Sequence, residues 1–420
     1  MSGKKALEGL KVVDFGSMGV SPVCCKHLAD HGATVVYIES HSSPDLLRFT
    51  PPYYKFHIDG SMLFGNYNTS KLSVTLNLAK PTGMEICWRL IKWADVLSCG
   101  RPNEWMTKWG LDYESIAQVK PEIIYYITSN VGTFGPDGAV FGHGAVTTAL
   151  MGVQHLTGWP DRGPSNITGF VGDSTNYIFG PIAILAALEY RERTGEGQLI
   201  DLSQVETYLW SQSPWILDYV VNGHIATRSG NRYPLFAENA PYGVFPCKER
   251  DSKDRWVAIC VTNDEEWYAF CEVIGQHQWT EEARFATALG RKENEDELEQ
   301  LVSAWTSMHT AEEVEVMMQS VGVPASAAES NKDLMEDYHL QERGYFRRLK
   351  HKELGEVPYS GPPFRLSRTP DNQSAAPCMG EHNDHVFREL LGMSEDDINR
   401  ALVEGGITTE YDLPKMGKIG

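Results

Sequence analysis

Strand-like apolar runs alternate with helix-like stretches through the first 130 residues or so, and this alternation constrains the fold more than any other feature. Leu10-Lys11-Val12-Val13-Asp14-Phe15 reads as a buried strand, followed by a turn with Gly16 and Gly19 and a helix over 23–31. Further strand runs lie at 33–38, 72–78, 94–98 and 123–128, with a helical pattern at 85–93. Strands separated by helices build parallel βαβ units. The expected fold class is α/β, with an open, Rossmann-like parallel sheet.

The middle of the chain continues the pattern and then breaks it. Gly172-Asp173-Ser174 precedes a helical run that stops at the glycines of Arg193-Thr194-Gly195-Glu196-Gly197, a common helix ending. A strand over 198–202 and a helix from Ser203 follow. Gly, Asn and Pro cluster at 229–246 and mark a boundary. Beyond it, Trp256-Val257-Ala258-Ile259-Cys260-Val261 and the helical stretches to about residue 321 read as a smaller α+β domain. The tail from Gly380 returns to helix.

The 420 residues hold 37 Lys and Arg against 56 Asp and Glu, a formal net charge of −19. Neutralising phosphates needs a basic face, so a general nucleic-acid binder is disfavoured, as is adhesion to an anionic membrane surface. Hydrophobic residues at 42%, with 10% aromatics, are enough for a packed core. The longest nearly apolar run, 178–188, falls far short of the roughly 18 to 20 residues of a membrane span. No signal-peptide pattern opens the chain. Eight scattered cysteines without a CxxC pair read as free thiols in a reducing cytoplasm. No structural zinc spacing occurs, and neither GxSxG nor a P-loop is present. A soluble cytoplasmic enzyme is the expectation.

Candidate chemistry concentrates in two places. The first turn lacks the GxGxxG fingerprint, although Glu39 follows the second strand where a ribose-binding acid would sit; ordinary turn geometry is the better reading. Asp173 admits two readings. As a helix N-cap, its oxygen would satisfy orphan backbone N–H groups. As a nucleophile, it would stay ionised at a helix N-terminus, with Gly172 allowing close approach of a substrate. A carboxylate of that kind attacks an activated acyl group and forms a mixed anhydride, while nearby backbone donors hold the oxyanion.

Several stretches taken together carry a family resemblance. They are Leu7-Glu8-Gly9-Leu10-Lys11-Val12-Val13-Asp14, Gly32-Ala33-Thr34-Val35-Val36-Tyr37-Ile38-Glu39, Asp45-Leu46-Leu47-Arg48 and Lys71-Leu72-Ser73-Val74-Thr75-Leu76. Ala94-Asp95-Val96, Gly172-Asp173-Ser174, Arg193-Thr194-Gly195-Glu196-Gly197-Gln198 and Gly380-Glu381-His382-Asn383-Asp384 continue the series. In this order and spacing, from about residue 7 to residue 407, the chain resembles the family III CoA-transferases. That group includes formyl-CoA, carnitine and bile-acid CoA-transferases.

The resemblance implies a concrete reaction. Asp173 matches the family's nucleophile, which takes an acyl group from a CoA thioester, becomes an aspartyl-CoA thioester, and passes CoA to an acceptor carboxylate. CoA and acyl-CoA are the implied substrates, with succinyl-CoA as an expected donor; no permanently bound cofactor and no metal are implied. The implied fold is a large Rossmann-like domain plus a small one, in an interlocked dimer of two identical or two homologous chains. On that pattern residues 1–225 form the first part of the large domain, 226–330 the small domain, and 331–420 the linker and return to the large domain. The CoA-contacting turn matches Met18, Gly19 and Val20, with Leu76, Arg101 and Lys108 as further CoA-binding positions. The two cations suit CoA phosphates.

Three departures accompany the match. Gly19 stands where some members carry glutamine, Phe141 where some carry lysine, and Glu238-Asn239-Ala240-Pro241-Tyr242-Gly243 replaces a glycine-rich active-site loop. His143, thirty residues before Asp173, opens a rival reading. The related α-methylacyl-CoA racemases use a His and an Asp at this spacing to move the proton beside the thioester carbonyl. Gly144 follows His143, however, where racemases usually have Asp. A third reading is a non-catalytic subunit that supports an active homologue. His155, Trp159 and Asp161 are expected in a loop that shapes the acyl pocket. His382-Asn383-Asp384-His385 reads as capping rather than a metal site.

Overall fold

The computed structural model describes residues 5–138, 140, 142, 144–167, 171–232, 239–249 and 254–413. The chain divides into two compact units, one of Met1–Gly152, Asn166–His224 and His339–Gly420, the other of Val153–Ser165 and Ile225–Tyr338.

In the larger unit, six strands form one sheet: β1 (Lys11–Phe15), β2 (Thr34–Glu39), β3 (Leu72–Thr75), β4 (Val96–Cys99), β5 (Ile124–Ser129) and β6 (Gln198–Ser203). Their order is β3-β2-β1-β4-β5-β6, and every pairing is parallel. In β1, β2, β4 and β5, neighbouring residues enter different cores. Val13, Val36, Leu97 and Tyr125 fill one, while Val12, Val35, Val96 and Ile124 fill the other. A parallel sheet covered on both faces needs apolar side chains on both, so its strands read as nearly unbroken apolar runs.

Among the described residues up to 222, the α-helices are α1 (Val20–Asp30), α2 (Met62–Tyr67), α3 (Pro81–Trp93), α4 (Asn103–Lys108), α5 (Tyr113–Val119), α6 (Gly144–Leu150), α7 (Val153–Leu156), α8 (Val171–Thr194), α9 (Gln204–Ser211) and α10 (Ser213–Asn222). α7 belongs to the smaller unit. Pro81 sits at the start of α3, where its missing N–H costs nothing and its fixed φ suits the helix. Ile86, Leu90 and Ile91 of that helix enter the first core. Cys24, Cys25 and Leu28 of α1 and Ile184 and Ala187 of α8 enter the second. None of the described helices is long and apolar enough to cross a membrane.

β3 ends at Thr75, short of the 72–78 run; the Leu76 N–H still donates to Glu39 O of β2 at 2.7 Å, and Leu76 also forms an antiparallel bridge with Ile407. The C-terminal return covers this edge. Asn383 Oδ1 accepts from the Thr75 N–H at 2.9 Å, and His382 Nδ1 from that of Ser73 at 3.3 Å. These side chains thus serve the exposed edge of a sheet, which would otherwise present unpaired backbone groups.

The smaller unit has its own antiparallel sheet, β7 (Tyr242–Pro246), β8 (Trp256–Cys260) and β9 (Ala325–Ala327). Its core packs Trp267 and Phe270 from the helix Asp264–Ile274 with Val302 and Val314 from the helices Glu295–Thr306 and Ala311–Ser320.

Candidate active site

The sheet order reverses between β1 and β4, and in such folds ligands bind in the crevice outside the carboxyl ends of the strands at that point. The turn after β1 lies against the loop after β4: a Cβ added to Gly100 would stand 3.0 Å from Ser21 Cβ and 3.4 Å from Ser17 N. A buried polar network holds the turn. Asp14 Oδ1 accepts from the Gly16 N–H at 2.8 Å, while Lys71 Nζ donates to Asp14 Oδ2 and to Asn68 Oδ1, each at 2.8 Å. Ser21 Oγ adds a bond to Asp14 and a 2.7 Å contact with Ser98 Oγ. Met18 is held at φ 62°, its N–H donating to Asp45 Oδ1 at 3.2 Å. A left-handed conformation at a residue with a Cβ costs roughly 1–2 kcal/mol and persists where the surroundings enforce it, often at functional sites.

The turn delivers the chain into α1 with Gly19 as its N-cap, and no side chain caps the helix. The first-turn N–H groups lack intrahelical partners, and the macrodipole makes this end electropositive. Asp173 faces it. A Cβ added to Gly19 would lie 3.0 Å from Asp173 Oδ2.

Asp173 lies within the first turn of α8, two residues past its start. The N-cap reading is therefore corrected: its half-buried carboxylate accepts no hydrogen bond among the described residues. Burial alone pushes it from the usual carboxylate range up to about 7. A carboxylate that is poorly solvated, lacks donors and faces a helix N-terminus is equipped to attack an acyl carbon.

Two tyrosines complete the immediate surroundings. Tyr177, one turn after Asp173 on α8, places its hydroxyl 3.2 Å from the same Gly19 Cβ position, and the ring of Tyr67 from α2 comes within 3.4 Å. The rings meet edge to face at 6.0 Å, and the Tyr177 hydroxyl donates to Tyr67 Oη at 3.4 Å. Burial, reinforced by neighbouring Asp173, raises both phenols above their ordinary range, so both keep their protons at neutral pH. α8 reaches this position by close packing on α1. At Gly180 a Cβ would stand 2.4 Å from Cys24 Sγ and 2.8 Å from Tyr126 Oη.

The structure thus gathers Met18, Gly19 and Asp173, with Val20 as the first residue of α1. Arg101 follows β4 immediately beyond Gly100, and Lys108 is the exposed last residue of α4. Neither cation has an ion pair among the described residues, and neither touches Asp173. Leu76 is packed in the sheet core at 2% exposure. Glu39 is not free to meet a ribose: the buried Arg48 guanidinium takes both its oxygens, at 2.8 and 2.6 Å. His155, Trp159 and Asp161 belong to the smaller unit. His143 and Phe141 lie outside the described residues.

Sequence reasoning did not find Tyr177, Tyr67 or the Asp14–Lys71 pair. An acid inside an apolar strand was the available signal for Asp14. For the tyrosines, only the four-residue spacing of Tyr177 from Asp173 was visible, and Tyr67 comes from a distant helix.

Such a site suits covalent acyl transfer, and comparison with known proteins gives the same class. The model of CoA-transferase family III matches residues 7–383, and the chain belongs to that family. It is an enzyme that moves CoA between acyl-CoA thioesters and carboxylic acids. It is similar to succinyl-CoA–D-citramalate CoA-transferase of Chloroflexus aurantiacus, at 32% identity over 397 residues that cover 94% of this chain and 96% of that one. The beta subunit of succinyl-CoA–L-malate CoA-transferase from the same organism is 28% identical over 399 residues, covering 94% and 96%. Among solved structures, a CAIB/BAIF family protein from Brucella suis matches with a TM-score of 0.83 and 28% identity, over 92% of this chain and 99% of that one.

Proposed function

We propose that this enzyme takes CoA from succinyl-CoA or a similar thioester and gives it to a dicarboxylic acid, through covalent intermediates on Asp173. The observation that carries the reading is the Asp173 carboxylate, without a hydrogen bond among the described residues and facing the uncapped end of α1. Ionised, it attacks the thioester carbonyl carbon; the C–S bond breaks and CoA thiolate leaves, giving a mixed anhydride. The thiolate then attacks Asp173 Cγ, the donor acid leaves as a carboxylate, and an aspartyl-CoA thioester remains. The acceptor carboxylate runs the two steps in reverse and departs as the new thioester. One thioester is exchanged for another, so no external energy source is required.

The substrate class is supported by the relatives' own activities, which join succinyl-CoA with citramalate or malate. The backbone of Met18, Gly19 and Val20 would receive the reacting end of CoA. Arg101 and Lys108, free of ion pairs among the described residues, would meet its phosphates, and Leu76 would serve only as packing beneath the site. The isomerase alternative depends on His143, outside the described residues, and no observation favours it. All eight cysteines are unpaired, which supports a cytoplasmic setting.

The assembly would be a dimer with a second copy or a homologous subunit; one relative is itself a subunit. Support comes from α8 to α10, where Ile178, Trp210, Leu217, Val220 and Val221 are each more than half exposed. Large apolar side chains left exposed on three successive helices are what a partner surface would cover. Sedimentation equilibrium reads the assembly directly, and a stable, fully active monomer would refute it.

Asp173→Asn is expected to lower transfer by roughly 10³-fold or more while keeping the fold and CoA binding. Full activity in that variant would overturn the assignment.

A further inference from the structure

We propose that the Tyr177 hydroxyl is the hydrogen-bond donor to the oxyanion that forms on Asp173 when CoA thiolate attacks the mixed anhydride. The inference deepens the covalent reading of Asp173 and rests on it.

Asp173 and Tyr177 are four residues apart on α8, a spacing that sets side chains on one helix face. Asp173 Oδ2 and Tyr177 Oη lie 3.0 and 3.2 Å from one point, the position a Gly19 side chain would take, and the Tyr67 ring stands 3.4 Å from it. The acid oxygen and the phenol therefore border the same space beside Gly19. Residue 19 adds no side chain to it; a Cβ there would crowd both oxygens.

The hydroxyl is available for this work. Its bond to Tyr67 Oη is 3.4 Å long, beyond the 2.5–3.0 Å of a good O–H···O bond, so a charged oxygen competes for it easily. At rest the Asp173 carboxylate takes no hydrogen bond from it. A donor engaged only when charge develops stabilises the transition state more than the ground state, which is what accelerates a step.

In the step itself, the thiolate sulfur bonds to Asp173 Cγ and the carbonyl π pair moves onto Oδ2, which becomes an oxyanion. Tyr177 shares its proton with Oδ2 without transferring it. When the pair returns, the bond from Cγ to the bridging oxygen breaks and the donor acid leaves as a carboxylate. The same contact serves the acceptor half-reaction, which passes through the same carbon.

Tyr177→Phe keeps the ring and removes only the donor. The expected result is a fall on the order of 100-fold in kcat, with KM for the thioester within threefold and the melting temperature unchanged. Hydroxylamine should still trap acyl groups on Asp173 in this variant. Tyr67→Phe removes only the resting partner and should cost less than Tyr177→Phe. A Tyr177→Phe kcat within twofold of the parent, or an equal loss in Tyr67→Phe, would overturn the inference. If the parent enzyme showed no hydroxylamine-trapped Asp173, the underlying covalent reading would fail instead. If it did, and Tyr177→Phe turned over normally, only the role of Tyr177 would fall.

Discussion

The chemistry of Asp173 depends on an unfavourable placement. Its carboxylate gives up water without gaining a hydrogen bond among the described residues, and burial lifts it to about 7. Because the nucleophile is the ionised form, kcat/KM for the thioester should rise with pH to a plateau, with a midpoint near 7. Stability should run the other way. Between the ordinary carboxylate value and about 7, the folded protein holds a proton that the unfolded chain has released. Stability is then full below that window, falls as pH rises through it, and levels off above. Asp173→Asn escapes this loss. Discounted for partial exposure, its advantage should be about 1–2 kcal/mol at pH 8 and close to nothing at pH 4. Thermal melts at the two pH values check the sign; a destabilised Asp173→Asn at pH 8 would contradict the placement.

The contact between α1 and α8 turns a sequence pattern into a site. α1 supplies the uncapped end, α8 the acid, and Gly180 allows the close approach. Gly180→Ala should destabilise the protein by about 1–3 kcal/mol, because its Cβ would enter space held by Cys24 and Tyr126. It should also lower kcat, since α8 carries Asp173; melting curves and initial rates report the two effects separately. The strands were legible from sequence because burial on both faces makes them continuous apolar runs, as in Val12-Val13 and Val35-Val36. Local pattern misled where a partner was distant. Nothing near Leu76 shows that it bridges to Ile407, more than 300 residues on. Nothing beside Asp173 shows that a helix begins two residues earlier and leaves its carboxylate uncapped. Asp14 and Lys71 are 57 residues apart, so their 2.8 Å pairing had no local trace.

Taken whole, the molecule carries a net charge of −19, which opposes an anionic cofactor at long range. Binding of CoA must then depend on short-range contacts, with the α1 N-terminus, Arg101 and Lys108 as the proposed partners. Screening acts mainly on distant exposed charges, so CoA affinity should weaken only modestly as salt is raised. A steep loss would reveal a larger basic pocket. The family was legible from the order and spacing of short motifs along nearly the whole chain, most of them on the strands of the parallel sheet and the turns beside them. The tyrosine pair was not, since it departs from those motifs and exists only in three dimensions.

The central claim is that Asp173 is acylated during turnover. Its most direct test is to incubate the enzyme with succinyl-CoA, quench with hydroxylamine, and map the peptides by mass spectrometry. A hydroxamate on Asp173 is expected, formed only with thioester present and missing in Asp173→Asn. Active turnover with an unmodified Asp173 would contradict it.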